Sequence, residues 1–203
     1  MILDFLHTCK TYDKKNYSKK HFRFTICPKC FAIGRFNLHG SYERHVIYFE
    51  NFILVYALIA IKRIKCLSCK TTHAVMPCDL IPYGLLSLFV VIFILNSFYI
   101  KKMSVLKIAK DWKFSFQFIY TVLHAFSIHM NNILQYFREV SPISVPPSLD
   151  APGILILIQK PYTQFQAGYI KLNRRPCFMC KFYNKGGAPP IGLLAAGLPP
   201  GGQ

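Results

Sequence analysis

Residues 27–30 read Cys-Pro-Lys-Cys and residues 66–69 read Cys-Leu-Ser-Cys, with 35 residues between the two pairs. Each C-x-x-C pair can place two thiolates on one side of a tight turn. Two such turns brought together complete a tetrahedral shell of four sulfurs, which suits zinc. The intervening segment is long enough to form strands, as a zinc ribbon requires. We therefore predict a small β zinc ribbon over residues 24–78 that binds Zn²⁺ through Cys27, Cys30, Cys66 and Cys69.

The other cysteines and the histidines give weaker signals. Cys177 and Cys180 form a third pair without an evident mate. A redox role for the paired cysteines stays open, although a thioredoxin-like site needs a βαβ pattern that this sequence lacks. Four further side chains could serve as metal ligands, but each is more typical of an ordinary surface or turn residue: His39, His45, His73 and Cys78.

The composition indicates a folded protein with a polyanionic partner. Hydrophobic residues make up 53% of the 203 residues, and 25 Lys and Arg against 8 Asp and Glu give a formal net charge of +17. A chain this basic is typical of proteins that bind nucleic acid or an anionic membrane surface. No secretory signal opens the sequence, so we expect a reducing, cytoplasmic location, where paired cysteines favour metal binding over disulfides.

Residues 79–140 are predicted to be helical, and the uncharged stretch 80–100 within them has two interpretations. Pro82 and Gly84 interrupt its beginning, and Asn96 and Ser97 interrupt its end. The first interpretation is a buried core helix. The alternative is a small single-span membrane protein with basic ends, since a run above about 18 uncharged residues is a transmembrane candidate. Basic residues on both flanks disfavour the span.

A helix-turn-helix is the next feature along the chain. Ser104 and Ser115 are plausible N-caps, and apolar residues recur at helical spacing after each. Lys113 occupies the turn position that usually has glycine and a positive φ. An ordinary αα-hairpin is the alternative. The expected contacts with double-stranded DNA are Lys101, Lys102, Lys107, Lys110, Lys113, Gln117, Tyr120, Thr121 and His124.

These residues together resemble an uncharacterised zinc-ribbon plus helix-turn-helix family of Firmicutes proteins, related to the N-terminal regions of insertion-sequence transposases. The resemblance covers roughly residues 24–130. It rests on Cys-Pro-Lys-Cys at 27–30, His-Gly-Ser-Tyr-Glu-Arg at 39–44, the segment 61–70, Thr-His-Ala-Val-Met-Pro at 72–77 and Ile-Pro-Tyr at 81–83. It implies a zinc ribbon that leads into a DNA-binding helix-turn-helix.

No catalytic role is expected. A transposase catalytic domain needs three metal-binding carboxylates, but only Glu139 and Asp150 follow residue 130. The predicted organisation is an α+β chain: a basic arm (1–23), the zinc ribbon (24–78), the helical region (79–140), and a Pro-rich linker and poorly ordered low-complexity tail (141–203), with a short strand at 154–158. The predicted function is a non-catalytic, zinc-dependent DNA-binding module of a transposase-related or truncated mobile element. A transposase catalytic subunit or domain encoded nearby is its expected partner.

Overall fold

The computed structural model describes residues 1–12, 16–140, 145–146, 148–159, 165 and 168–169. The fold is mixed α+β, as predicted. The strands are β1 (Ile2–Asp4), β2 (Phe36–Glu50), β3 (Ile53–Cys66) and β4 (Thr72–Pro77). The helices are α1 (Cys9–Tyr12), α2 (Leu88–Tyr99), α3 (Val105–Trp112), α4 (Phe116–Val140) and α5 (Ala151–Gln159), with a 3₁₀ turn at Lys19–Phe22.

A long antiparallel hairpin forms most of the four-stranded sheet, whose strand order is β1-β4-β3-β2. β2 and β3 pair from Phe36 opposite Cys66 to Glu50 opposite Ile53, with an irregularity between Leu38 and Ser41. Gly40, which lies in that irregularity, has a φ of 82°. β4 pairs with β3 over only a short stretch, and β1 adds in parallel to β4.

The described residues of the predicted basic arm (1–23) pack on the sheet in part, because Cys9, Tyr12, Tyr17 and Phe22 are buried there. The buried Tyr12 hydroxyl donates to the Val75 carbonyl at 2.5 Å and accepts the Lys62 amide at 3.1 Å. Asp79 accepts the amide of Cys9 at the start of α1, 2.8 Å away. Lys14 and Lys15 of this segment lie outside the described residues, whereas Lys19 and Lys20 are exposed. Aromatic burial outweighs the polar composition of this segment.

The core is divided into two clusters, one under the sheet and one among the helices. The segment before α2 joins them. Ile47 in β2 donates to the Leu85 carbonyl at 2.7 Å and accepts the Ser87 amide at 2.8 Å. Arg44 donates to the carbonyls of Ile81, at 3.2 Å, and Gly84, at 2.5 Å. The sheet is therefore held directly against the start of the helical part.

The stretch 80–100 contributes a core helix, as the first interpretation predicts. It forms α2, which has 12 residues and packs against β2, α3, α4 and α5. Ser87 caps α2 by accepting the Val90 amide. Over the residues described, the protein has no helix that combines the length and the apolar character needed to cross a membrane.

The predicted strand at 154–158 is wrong, because these residues lie in α5. Ile154, Leu155 and Ile158 are buried in the helical core, at positions that share one helix face. A short apolar run fits a strand and a buried helix equally well, so only its packing decides between them. Asp150 accepts the Gly153 amide at 3.0 Å and so caps this helix. The low-complexity segment 186–203 and the pair Cys177 and Cys180 lie outside the described residues.

Candidate metal centre

The β2–β3 hairpin brings the two cysteine pairs together. Cys27–Cys30 precedes β2 and Cys66–Cys69 follows β3, so an antiparallel hairpin returns the second pair to the first. Phe36 is the register partner of Cys66. The Leu67 amide donates to the Arg35 carbonyl at 2.8 Å, which ties the second turn to the residue just before β2. The 35-residue separation in sequence therefore becomes close contact in space.

The two C-x-x-C turns share the same backbone hydrogen bond and the same left-handed residue. The Cys27 amide donates to the Ala32 carbonyl, and the Cys66 amide donates to the Thr71 carbonyl, both at 2.9 Å. The residue after the second cysteine is left-handed in each turn, with φ of 61° at Phe31 and 60° at Lys70. This conformation normally favours glycine, so both side chains are held there at some conformational cost.

The four sulfurs have the spacing of a tetrahedral metal shell. The Sγ atoms of Cys27, Cys30, Cys66 and Cys69 all lie within 4.8 Å of one another. Across the two turns, Cys27 Sγ is 3.7 Å from Cys69 Sγ, and Cys30 Sγ is 3.6 Å from Cys66 Sγ. Four sulfurs at about 2.3 Å from a tetrahedral zinc ion lie ~3.8 Å apart. The cluster can therefore hold a metal ion.

The local hydrogen bonds favour ionised sulfur in the second turn. The side chain and backbone of Thr71 lower the pKa of Cys69 to about 6. The backbone amide of Cys69 is the main cause that lowers the pKa of Cys66. Since the thiolate is the form that binds metals, these hydrogen bonds prepare the site for a cation.

His73 also lies at this site, although from the sequence it was expected to be an ordinary surface or turn residue. Its ring is 5% exposed, and Nε2 lies 3.4 Å from Cys27 Sγ. Burial is the main cause that lowers its pKa, which favours the neutral ring. Phe36 meets the ring edge-on, with centroids 6.2 Å apart. The spacing Cys69-x-x-x-His73 was the available signal, but it could not show on which side of the turn the ring lies.

The other spare ligands do not join the cluster. His39 and His45 are exposed, and the buried Cys78 lies outside the group of four sulfurs. Burial is the main cause that raises the pKa of Cys78, to about 11. In the part of the chain that the structure describes, the ligating side chains grouped closely enough for a metal ion are the four predicted cysteines.

The predicted nucleic-acid contacts lie on and around α3 and α4. Ser104 caps α3, and Ser115 accepts the Phe118 amide at the start of α4. Lys113, between the helices, has the expected positive φ, 55°. α4 continues to Val140, the end of the predicted helical region and well beyond residue 130, where the resemblance ends. The exposed members of the predicted set are Lys101, Lys102, Lys107, Lys110, Lys113, Gln117, Tyr120 and His124.

Thr121 differs from the rest of that set. It is half-buried, and its hydroxyl donates to the Gln117 carbonyl one helical turn earlier, at 2.7 Å. This local bond occupies the hydroxyl proton of Thr121 within α4. Gln117, Tyr120 and His124 project from α4 at a spacing of three or four residues, which places them on one exposed face.

The fold and the site define a mixed α+β protein with a four-cysteine centre at the base of a β-hairpin. Residues 27–104 match the family described as a domain of unknown function, DUF6431. The match begins at Cys27, includes both cysteine pairs and α2, and ends at Ser104. No curated protein and no solved structure matches the chain significantly.

Proposed function

We propose that the protein is a zinc-dependent, non-catalytic module that binds double-stranded DNA. The observation that carries the proposal is the convergence of the sulfurs of Cys27, Cys30, Cys66 and Cys69, with cross-turn distances of 3.6 and 3.7 Å. Four thiolates complete the coordination of zinc and leave no open position for a substrate, which is typical of a structural site. The sheet would then be a zinc ribbon that holds the helical part in place.

The α3–α4 unit supports binding to DNA. Phe114 is buried in the turn between the helices and stacks on Phe118, with ring centroids 5.2 Å apart. Ala109 in α3 and Ile119 in α4 are also buried, as expected where the two helices of a helix-turn-helix approach closely. Within the part of the chain that the structure describes, the other side of this unit is exposed.

The charge of that exposed side favours phosphate. Residues 101–113 contain five lysines and one acidic residue, Asp111, and all five lysines are exposed. Lysine ammonium groups form ion pairs with phosphates of any sequence, so we expect affinity to come chiefly from the DNA backbone. Gln117 is the best-placed side chain for reading a base edge, since glutamine pairs with adenine.

A mobile-element role is consistent with a chain that binds DNA but lacks its own catalytic carboxylates. Eight Asp and Glu residues occur in the whole chain. They form no carboxylate cluster within the described ranges. We propose that the module acts in the cytoplasm and that a transposase catalytic subunit or domain encoded nearby supplies any chemistry.

The proposal is tested by a gel-shift titration of the full chain with a duplex at low salt. Zinc-loaded protein should bind, and protein treated with a chelator should lose binding because the helical unit loses its support. Restoring zinc should restore binding. Failure of the zinc-loaded protein to bind any duplex would contradict the DNA function, and equal binding before and after chelation would contradict its zinc dependence.

A further inference from the structure

The first C-x-x-C turn lies at the tip of a short hairpin formed by residues 24–35, here called the cysteine hairpin. Ile26 and Ile33 are antiparallel bridge partners in its two arms, and the Gly34 amide donates to the Thr25 carbonyl at 2.9 Å. Opposite residues of an antiparallel pair, and their neighbours two positions away, project from the same face. The cysteine hairpin therefore has two distinct faces.

The outer face of the cysteine hairpin consists of four side chains: Phe24, Ile26, Ile33 and Arg35. All four are exposed, and the three apolar residues are 83%, 55% and 62% exposed, in that order. Cys27, by contrast, is buried on the inner face, where its sulfur belongs to the four-cysteine cluster. Adjacent exposed apolar side chains of this kind are typical of an interaction site.

Phe31 adds a second aromatic ring at the tip of the cysteine hairpin. It is 75% exposed, and its backbone is left-handed, with a φ of 61°. A bulky side chain is unfavourable in this conformation, in which glycine is the usual residue. Packing within the protein does not account for a phenylalanine there, because most of the residue remains exposed. Backbone strain of this kind is concentrated at functional sites, so a ligand is expected for the ring.

The surroundings of the two rings are basic. Residues 16–35 contain no Asp or Glu. Their five lysine and arginine residues are all exposed: Lys19, Lys20, Arg23, Lys29 and Arg35. The Arg23 guanidinium lies 5.6 Å from the centroid of the Phe24 ring. Exposed aromatic rings among cations match a ligand in which flat bases alternate with phosphates.

We propose that the outer face of the cysteine hairpin, together with Phe31, binds single-stranded DNA. Unpaired bases stack on Phe24 and Phe31, and the five cations pair with the phosphates. Stacking depends little on base identity, because every base has a π-face. The exposed side chains of residues 24–35 carry no hydroxyl, amide or carboxylate that would recognise a base edge or a ribose 2′-hydroxyl. Binding is therefore tolerant of sequence and needs no ribose hydroxyl.

A protein partner fits this face less well than DNA. The centre of a protein interface is depleted of charged residues, whereas cations lie directly beside these rings. A second copy of the chain would also bring one net charge of +17 against another. An anionic lipid surface shares the attraction for apolar and basic side chains, and the choice of DNA over lipid rests on the duplex binding proposed above.

The cysteine hairpin lies at the opposite end of β2 from the α3–α4 unit. Phe36, the first residue of β2, follows the cysteine hairpin directly, whereas Phe49 packs on Trp112 of α3 with ring centroids 5.4 Å apart. At about 3.3 Å per residue, the strand between Phe36 and Phe49 spans roughly 40 Å. The surface for single strands is therefore separate from the one proposed for duplexes. A duplex that continues into a single-stranded tail would engage both.

The first test titrates the zinc-loaded full chain with a labelled dT oligomer at low salt and follows fluorescence anisotropy. Wild type should bind, and Phe24→Ala combined with Phe31→Ala should weaken binding by roughly 5- to 150-fold per ring. Phe31→Tyr retains a ring and should keep wild-type affinity. The matched control is Phe52→Ala, because Phe52 is also exposed and also has a φ of 61°, but lies between β2 and β3 at the other end of the sheet.

Metal analysis ensures that these variants are compared at equal zinc content. Failure of wild type to bind dT, or an equal loss of affinity in Phe52→Ala, would overturn the proposal. Tighter binding of a U oligomer than of dT would assign the face to RNA and would also overturn it.

A second comparison separates this site from duplex binding. The Phe24 and Phe31 double alanine variant should bind a blunt duplex as wild type does. Lys107→Ala with Lys110→Ala should lose duplex affinity and keep dT affinity. Duplex binding without dT binding overturns this inference and leaves the proposed function intact, whereas dT binding without duplex binding overturns the proposed function alone.

The third test detects stacking directly. Trp112 is the single tryptophan of the chain, so Phe31→Trp in a Trp112→Phe background places a fluorescent reporter at the tip of the cysteine hairpin. A dT oligomer should quench this tryptophan by stacking on it, and it should leave Phe52→Trp in the same background unquenched. A blue shift on phosphatidylserine vesicles without quenching by dT would assign the face to a membrane and overturn the proposal. A blue shift that depends on protein concentration alone would assign it to a second copy, with the same consequence.

Discussion

The Nε2 atom of His73 lies 3.4 Å from the Sγ atom of Cys27, and both side chains are buried. A neutral imidazole that carries its proton on Nε2 donates a hydrogen bond to a metal-bound thiolate at this distance. Such a bond removes negative charge from the sulfur and fixes its direction. His73 therefore lies beside the four-cysteine cluster that can hold a metal ion, and groups of this kind tune metal affinity.

Replacing His73 should weaken metal binding without abolishing it. His73→Phe keeps the ring volume but loses the donor, so the metal dissociation constant should rise roughly 10- to 100-fold. Competition with a chromogenic chelator measures this change. His73→Gln, which retains an N–H donor, should lose less, and the exposed-histidine control His45→Gln should match wild type. Equal affinities for wild type and His73→Phe would show that the contact has no role in metal binding.

The metal site should be needed for the sheet. We expect one zinc ion per chain, and Cys66→Ser should lose it because the four-sulfur shell is broken. Zinc binding of this kind contributes about 10–16 kcal/mol in small peptides, so metal loss should unfold the sheet region. Metal analysis and hydrogen exchange of β2 and β3 measure both effects. Cys78→Ser, at a buried cysteine outside the cluster, should keep its zinc; full zinc content in Cys66→Ser would contradict the site.

The core position of α2 is tested at Ile92, which is 4% exposed. Ile92→Asp should cost several kcal/mol because it buries an unpaired carboxylate, and it should lead to aggregation or rapid proteolysis. Ile92→Ala should give a milder loss of about 2–5 kcal/mol, measured by denaturant unfolding. Phe89→Asp on the exposed side of the same helix should remain folded. A soluble, protease-resistant Ile92→Asp variant would show that this face of α2 is not in the core.

The turn between α3 and α4 should become more stable when Lys113 is replaced by glycine. Lys113 has a φ of 55° and a ψ of 30°, a left-handed conformation that is unfavourable for residues with a Cβ atom. Lys113→Gly should therefore raise the free energy of unfolding by roughly 0.5–1 kcal/mol, measured by denaturant unfolding. Lys110→Gly, inside α3, should lower it by about 1 kcal/mol. A loss of stability in both variants would contradict strain at Lys113.

DNA affinity should depend on salt through the lysines of α3. If about five to eight phosphates are neutralised, the slope of log affinity against log salt should be roughly −4 to −7. Lys107→Ala with Lys110→Ala should lower affinity on every sequence and reduce the slope by about 2. Both positions are exposed and helical, so alanine adds no backbone strain. The charge-conserving double arginine variant should retain the slope, and a flat salt dependence in wild type would exclude phosphate contacts as the source of affinity.

The sequence by itself determined the features that depend on local spacing. Each C-x-x-C pair fixes two sulfurs on one turn, and the convergence of the four sulfurs agrees with the prediction. Ser104 and Ser115 set the starts of α3 and α4 because a cap needs only an amide a few residues ahead. The uncharged stretch before residue 100 could only be a buried helix or a membrane span, and α2 is a core helix.

The tertiary structure decided the features that depend on distant partners. His73 lies beside Cys27 because the hairpin and β4 place it there, and no local pattern encodes that distance. Residues 154–158 are helical because α2 and α4 offer a buried surface to α5. Tyr12 can be buried because its hydroxyl donates to the Val75 carbonyl and accepts the Lys62 amide within the sheet. For a short segment, the helix and strand propensities differ by less than the free energy gained when its apolar side chains are buried. Long-range packing therefore determines the structure of such segments.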